Sequence, residues 1–171
     1  RSMEVSDYLY DSVKPVPPLD YVLFPHVLAG SGTVLFGPPG KGKTWTALLI
    51  SACVEHALMH PWHCARPRRT LYVNLERDRL SIERRAQQVY DALGLGDGQS
   101  QKFLHARGRS LADVADIVRK TVTKHDIELV VLDSISRSGY GDLNENQPAN
   151  KVMDTLNSFG CAWLGIGHTP R

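Results

Sequence analysis

Short apolar runs alternate with longer amphipathic stretches along the chain from residue 33 onward. The short runs are rich in β-branched residues and do not alternate with polar ones, which indicates strands that are buried on both faces. The stretches between them carry apolar residues at helical spacing. The pattern predicts strands at residues 33–36, 70–75, 103–104, 128–133 and 161–167, and helices at residues 43–59, 78–93, 110–124 and 147–159.

Polar caps and glycines mark the ends of these helices. Asp78 and Ser110 have the short polar side chains that cap a helix N-terminus, whereas Gly94 and Gly160 follow predicted helix ends. Strands that are separated by helices imply parallel pairing through right-handed crossovers. We therefore predict an α/β fold in three layers, a parallel sheet with helices on both faces.

The first 18 residues differ from the rest of the chain, because they are polar and end in a proline-rich run, residues 14–18. Proline lacks an amide donor and fixes its backbone, so residues 1–18 are expected to form a flexible N-terminal arm. Arg1 and Ser2 look like an expression remnant ahead of a start at Met3. Residues 19–171 then form one domain, which we expect to be incomplete because the chain stops directly after a strand-like run.

Composition changes this picture little. The length of 171 residues suits one domain with a sizeable core, and 42% apolar with 22% charged residues is ordinary for a globular protein. A net charge of +2 is too small to indicate a nucleic-acid partner by bulk electrostatics. No apolar run reaches the length of a membrane span, and three cysteines do not make a disulfide framework. We expect a cytoplasmic protein without a membrane partner.

A glycine-rich run joins the first predicted strand to the first predicted helix. Its spacing, G-x-x-x-x-G-K-T, is that of a phosphate-binding loop (Walker A), in which backbone amides and a helix N-terminus cradle phosphate oxygens. We predict that the run and the adjoining Trp45 bind ATP, with Lys43 on the β- and γ-phosphates and the Thr44 hydroxyl on Mg²⁺. The run consists of Gly37, Pro38, Pro39, Gly40, Lys41, Gly42, Lys43 and Thr44. A chance turn before a helix would have to place two glycines, a lysine and a threonine at this spacing between a strand and a helix.

The strand predicted at residues 128–133 ends in Asp133, which is the Walker B arrangement. A carboxylate at that edge lies beside the phosphate loop and holds Mg²⁺. Alone this pattern is weak, since many buried strands end in aspartate before a turn, and it gains weight from the loop. The next residue is Ser134, where such motifs often carry a second acid. The catalytic carboxylate is therefore expected elsewhere.

Glu76 is the candidate for that carboxylate. It follows the strand predicted at residues 70–75, at the edge where open α/β sheets bind ligands. A carboxylate there can orient the attacking water or accept its proton. The alternative is that Glu76 caps the helix that begins near Asp78, or pairs with Arg77 or Arg79.

The order of these motifs resembles that of RecA-like ATPases, and among them the RepA-like replicative helicase family with its DnaB-type relatives. The resemblance covers about residues 19–171 and includes a helix that contains Arg84 and Arg85. The segments that carry it are LDYVL, GPPGKGKT, LYVNLE, VVLDSISR, DLNEN and LGIGHTPR.

The resemblance implies roles for individual residues. Glu76 would be the catalytic base, and His168 at the end of the last strand would sense the γ-phosphate, with Arg171 matching a basic residue usual three positions later. From residue type alone, His168 would be a strand-end histidine without a role. The family fold also places the His168 strand between those of the phosphate loop and Asp133. The implied catalytic set is Glu76, Lys43 and His168.

Such ATPases typically form hexameric rings on single-stranded DNA, with an arginine finger supplied across the interface. The finger and the second nucleic-acid loop usually follow the histidine strand, so we expect this chain alone to hydrolyse ATP poorly. Arg137 and Tyr140, after the Walker B strand, can contact DNA or belong to a mobile polar loop. The basic turn at Arg66, Arg68 and Arg69 can face nucleic acid, a neighbouring subunit or solvent.

Three functions remain open from the sequence. The first is a DNA-dependent motor ATPase of the RepA-like helicase type. The second is a non-translocating ATP-dependent switch, assembly or recombination ATPase. A P-loop kinase is disfavoured, because no arginine-rich lid is evident and Glu76 with His168 suits the activation of water.

Overall fold

The computed structural model describes residues 15–96 and 101–168, so most of the predicted N-terminal arm and Arg171 lie outside the described residues. Every helix and strand predicted from the pattern is present, with bounds that differ by up to three residues. A 3₁₀ turn, Ile135–Arg137, follows the sixth strand. In chain order the elements are β1 (Tyr21–Leu23), β2 (Val27–Leu28), β3 (Gly32–Gly37), α1 (Lys43–His56), β4 (Thr70–Asn74), α2 (Arg79–Ala92), β5 (Lys102–His105), α3 (Leu111–His125), β6 (Leu129–Asp133), α4 (Asn146–Asn157) and β7 (Ala162–His168).

The central sheet has five strands in the order β3-β7-β6-β4-β5, all of them parallel. This confirms the predicted α/β architecture, and β7 lies between β3 and β6 as the resemblance implied. The register aligns the carboxyl ends of the strands, with Gly37 opposite His168 and Asn74 opposite Asp133. The residues that follow these strands therefore meet at one edge of the sheet.

Two apolar layers hold the helices on the sheet. Side chains alternate along a strand, so Val131 of β6 points into the layer shared with α1 and α2, while Val130 and Leu132 point into the layer shared with α3 and α4. All five residues of β6 are buried. Full burial of one valine or leucine side chain contributes about 1.5–3 kcal/mol to the stability of the fold. The two covered faces explain why the strand runs are continuously apolar rather than alternating.

The pattern did not predict the small antiparallel hairpin of β1 and β2, which lies outside the main sheet. Beside it, the Arg68 side chain is 4% exposed and pairs with Asp20 and, at 3.3 Å, with Glu128. Arg66 pairs with Glu128 at 2.6 Å. Arg68 thus joins the segment before β1 to the residue before β6, and Arg66 shares its Glu128 partner. Both arginines belong to the amino end of the sheet, and Arg68 is not on a solvated basic face.

Among the described residues, none of the helices has both the length and the apolar character that a membrane crossing requires.

Candidate active site

The glycine-rich loop lies between β3 and α1 at the carboxyl edge of the sheet. Gly40 and Gly42 adopt left-handed backbone angles, with φ of 77° and 79°, which glycine accepts without steric cost. Gly42 occupies the N-cap of α1. Because glycine has no side chain with which to cap the helix, the first-turn amides keep their donors for an anion.

Lys43 folds back over this loop and is buried. Its Nζ donates hydrogen bonds to the carbonyl oxygens of Gly37 at 2.6 Å and Pro38 at 2.7 Å. The ammonium group is thus held at the loop that is predicted to bind the phosphates. A phosphate group offers charged acceptors, which form stronger hydrogen bonds with an ammonium group than carbonyl oxygens do.

Thr44 and Asp133 meet beneath the loop. The Thr44 hydroxyl donates to Asp133 Oδ2 at 3.0 Å, and the Tyr72 hydroxyl donates to the same oxygen at 2.8 Å. Asp133 Oδ1 has no hydrogen-bond partner among the described residues. Burial raises the pKa of Asp133, and the hydrogen bonds from Tyr72 and Thr44 only partly oppose this effect.

This pair has the chemistry that a magnesium site needs. Mg²⁺ prefers hard oxygen donors, and the Thr44 hydroxyl and the Asp133 carboxylate supply them side by side. The unpartnered Oδ1 and the raised pKa of Asp133 both indicate a buried carboxylate whose charge the described residues compensate only in part. The residues present therefore fit the predicted cation.

Glu76 lies two residues beyond the end of β4, and it contacts residues that follow β6 and the last residue of β7. Glu76 Oε1 accepts hydrogen bonds from Ser134 Oγ at 2.7 Å and from Ser136 Oγ at 3.2 Å. The same oxygen lies 3.4 Å from His168 Nε2. The Glu76 side chain is 23% exposed, so it is largely sheltered but open on one side.

The structure gives two of the alternative roles of Glu76, the cap of α2 and the partner of Arg79, to other residues. Asp78 caps α2, since its Oδ1 accepts the backbone N–H of Ser81 at 2.9 Å. Arg79 pairs with Glu83 at 2.6 Å, one turn further along the helix. Glu76 is thus available to the site at the sheet edge.

Electrostatics keep Glu76 ionised. Burial alone would raise the pKa of Glu76, but the hydrogen bonds from Ser134 and Ser136 and the interaction with His168 outweigh burial, so the pKa lies below its usual value. At neutral pH the side chain is therefore a carboxylate, the form that can accept a proton or orient water.

One cavity collects most of the predicted residues. The loop, Glu76 and His168 face it together, and Asp133 lies below it through its contact with Thr44. Gly37 and Pro38 support the cavity through the carbonyls that hold Lys43. Pro39 does not line the cavity. The residues that line it are Gly40, Lys41, Gly42, Lys43, Thr44, Trp45, Glu76, Arg77, Arg85, Ile166 and His168.

Sequence reasoning gave no role at the site to several residues that line or support this cavity. Tyr72 lies inside a strand interpreted as plain core, although a buried tyrosine hydroxyl needs a partner and so signals a polar neighbour. Ser136 was not singled out as a partner of Glu76. Arg85 places its guanidinium carbon 5.2 Å from the ring centroid of Trp45, which is a cation–π arrangement at the rim of the cavity.

Comparison with known protein families gives a match over nearly the whole chain. A family model described as an AAA domain matches residues 2–171, a range that includes the glycine-rich loop, Glu76, Asp133 and His168. A search of curated proteins found no match to the chain.

Proposed function

Because the chain belongs to the AAA domain family, a family of P-loop ATPases, we propose that it hydrolyses ATP, with Mg²⁺ as cofactor, at the carboxyl edge of its sheet. The observation that carries this proposal is the ionised carboxylate of Glu76, which faces the same cavity as Lys43 and Thr44. A phosphate-binding loop alone supports nucleotide binding. The additional carboxylate supports activation of water.

The loop and Lys43 are proposed to bind the phosphates of ATP, through backbone amides at the start of α1 and through the ammonium group. Thr44 and Asp133 are proposed to hold Mg²⁺, which when bound neutralises negative charge on the phosphates. Tyr72 helps to fix the Asp133 carboxylate, because its hydroxyl and that of Thr44 both donate to Oδ2, while Oδ1 has no hydrogen-bond partner among the described residues.

Glu76 is proposed to orient the attacking water and accept its proton. Ser134 and Ser136 both donate to Oε1, which among the described residues leaves Oε2 as the oxygen for water. His168 is proposed to sense the γ-phosphate, because its Nε2 lies beside Glu76 on the cavity wall. A phosphate oxygen there would compete with Glu76 for the imidazole and so link occupancy to the state of the base.

Replacing Glu76 with glutamine tests this assignment, since the amide keeps the shape of the carboxylate but cannot accept the proton. We expect kcat to fall by about 100-fold or more, the range for loss of a general base, while ATP binding stays within a few-fold of wild type. Glu83→Gln is the matched control, because Glu83 is a carboxylate of α2 that does not line the cavity. Turnover near the wild-type rate in Glu76→Gln would refute the assignment.

The motor function is a further part of the proposal. We infer that the domain works in a hexameric ring of the RepA-like helicase type and couples hydrolysis to single-stranded DNA. In support, Ser136 bonds Glu76 and is adjacent to the exposed Arg137 in the 3₁₀ turn after β6. A DNA phosphate that binds Arg137 would therefore act one residue away from a partner of the base. Tyr140 is partly buried and bonds Thr155 at 2.8 Å, so it contributes to packing against α4.

Stimulation of hydrolysis by single-stranded DNA tests the motor function. We expect DNA to raise the ATPase rate of the wild type, and Arg137→Ala to lose the stimulation while keeping the DNA-free rate. Lys120→Ala, on an exposed position of α3, is the control for general loss of positive charge. Absence of stimulation at every salt concentration would refute the helicase and favour the second candidate, a non-translocating ATP-dependent switch.

A further inference from the structure

Asn74 is a fully buried polar residue at the end of β4, two positions before Glu76. The three residues before it in the strand belong to the core, with Leu71 and Val73 in one layer and the Tyr72 ring in the other. A buried amide is stable only where its hydrogen bonds are satisfied. The partners of Asn74 therefore show what the side chain does at this position.

The Asn74 side chain bonds both backbone groups of Arg77. Its Oδ1 accepts the N–H of Arg77 at 3.0 Å, and its Nδ2 donates to the Arg77 carbonyl at 2.7 Å. On the other side of Glu76, the N–H of Leu75 donates to the Asp133 carbonyl at 2.8 Å. The two residues that flank Glu76 are thus both fixed, one by the neighbouring strand and one by Asn74.

The neighbouring strand β5 holds the amide group of Asn74 in this orientation. Nδ2 also donates to His105 Nδ1 at 3.2 Å. The backbone carbonyl of Asn74 separately accepts the N–H of Ala106, just after β5, at 2.9 Å. The His105 ring in turn stacks on Phe103, with ring planes 4° apart and centroids separated by 5.8 Å. Rotation of the side-chain amide would therefore break its bond to His105 of β5 as well as its two bonds to Arg77.

We propose that Asn74 is a positioning residue for Glu76: its side chain clamps residues 74–77 so that the Glu76 carboxylate reaches Ser134 and His168. The proposal rests on the proposed hydrolysis. Asparagine supplies a donor and an acceptor on one planar group. An aspartate would place a carboxylate oxygen against the Arg77 carbonyl, and a leucine of similar size would satisfy neither backbone group.

A purely structural role for Asn74 would predict a loss of stability without a specific loss of rate. Thr70→Val is the matched control, because Thr70 lies at the other end of the same strand, is also buried, and bonds Glu55 Oε2 through its hydroxyl at 2.9 Å. Both Asn74→Ala and Thr70→Val lose a buried hydrogen-bonding side chain in β4. They differ in distance from Glu76.

Three measurements on these variants test the proposal. We expect Asn74→Ala to lower kcat at least 10-fold with the dissociation constant for ATP within twofold of wild type, and Thr70→Val to keep kcat. In a Glu76→Gln background, Asn74→Ala should lower the residual rate no further, because both changes act on the same group. Without nucleotide, hydrogen exchange of the Arg77 amide should accelerate at least 10-fold in Asn74→Ala and stay unchanged in Thr70→Val.

The contrary outcomes are separable. Unchanged exchange of the Arg77 amide in Asn74→Ala would overturn the clamp itself. Equal losses of kcat in Asn74→Ala and Thr70→Val, or a further loss in the Glu76→Gln background, would overturn the positioning of Glu76. A wild type that hydrolyses no ATP would overturn the proposed function and with it the catalytic consequence of the clamp, whereas the exchange measurement would still decide whether Asn74 holds residues 74–77.

Discussion

Replacing Tyr72 with phenylalanine removes one hydroxyl from the support of Asp133 and leaves the ring in the core. The hydroxyl donates to Asp133 Oδ2 at 2.8 Å. Burial and the charge of Asp133 raise the pKa of Tyr72 well above its usual value, so the hydroxyl keeps its proton and acts as the donor. In the variant, Oδ2 keeps only the Thr44 hydroxyl, which is also the proposed ligand of Mg²⁺.

The size of the effect follows from the kind of bond that is lost. A hydrogen bond to a charged group contributes about 1.5–3 kcal/mol to stability, and loss of a group that orients a metal ligand typically costs about 10–100-fold in metal affinity. The Tyr72 hydrogen bond also lowers the pKa of Asp133, so its loss raises that pKa further and disfavours the carboxylate. We therefore expect the Tyr72→Phe variant to be less stable and to bind Mg²⁺ more weakly.

The assay is a magnesium titration of ADP or ATP binding, paired with thermal denaturation in the absence of nucleotide. Tyr90→Phe is the matched control, because Tyr90 is also buried and its hydroxyl bonds Gln101 away from the site. The Mg²⁺ concentration that gives half-saturation should rise by about 10-fold or more in Tyr72→Phe. It should stay near the wild-type value in Tyr90→Phe. Equal magnesium dependence in the two variants would refute the role of Tyr72.

Further predictions concern the buried charge of Asp133, the ring of Trp45 and the pKa of Glu76. Asp133→Asn should raise the melting temperature of the nucleotide-free protein at pH 7, because it removes a buried charge whose pKa is raised by burial. The gain should shrink as the pH falls through the raised pKa of Asp133, because the native carboxyl then becomes neutral; a lower melting temperature at pH 7 would contradict this reasoning. Trp45 emission should change as ATP with Mg²⁺ binds, since the ring faces the cavity beneath Arg85; a response that survives Trp45→Phe would contradict the assignment. Ser134→Ala should move the acidic limb of the rate profile to higher pH, because it removes a bond that lowers the pKa of Glu76; an unmoved limb would contradict it.

The sheet and its loop were predictable because their signals are local in sequence. Apolar runs without alternation indicated buried parallel strands, and the phosphate loop occupies eight consecutive positions, so neither depends on long-range contacts. The place of β7 between β3 and β6 came from the family resemblance, because the pattern alone does not fix strand order. The β1–β2 hairpin was missed because strands of three and two residues carry no usable periodicity.

The partners that support the site were not predictable, because they are distant in sequence. Tyr72 and Asp133 are 61 positions apart, and Ser136 and Glu76 are 60 positions apart. The strand register, which brings each pair together, is a property of the folded sheet. Asn74 could have been noticed as a polar residue at the end of an apolar strand, but its bonds to Arg77 depend on the turn that follows.

Hydrolysis of ATP in water enriched in oxygen-18 identifies the group that attacks the γ-phosphate, and so shows whether this site activates water. If Glu76 activates water at this edge of the sheet, the wild type in Mg²⁺ should release phosphate that carries one oxygen-18 atom per turnover. Glu76→Gln should bind ATP and release almost none. Transfer of the phosphoryl group to another acceptor, or labelled phosphate released by Glu76→Gln at the wild-type rate, would contradict the account.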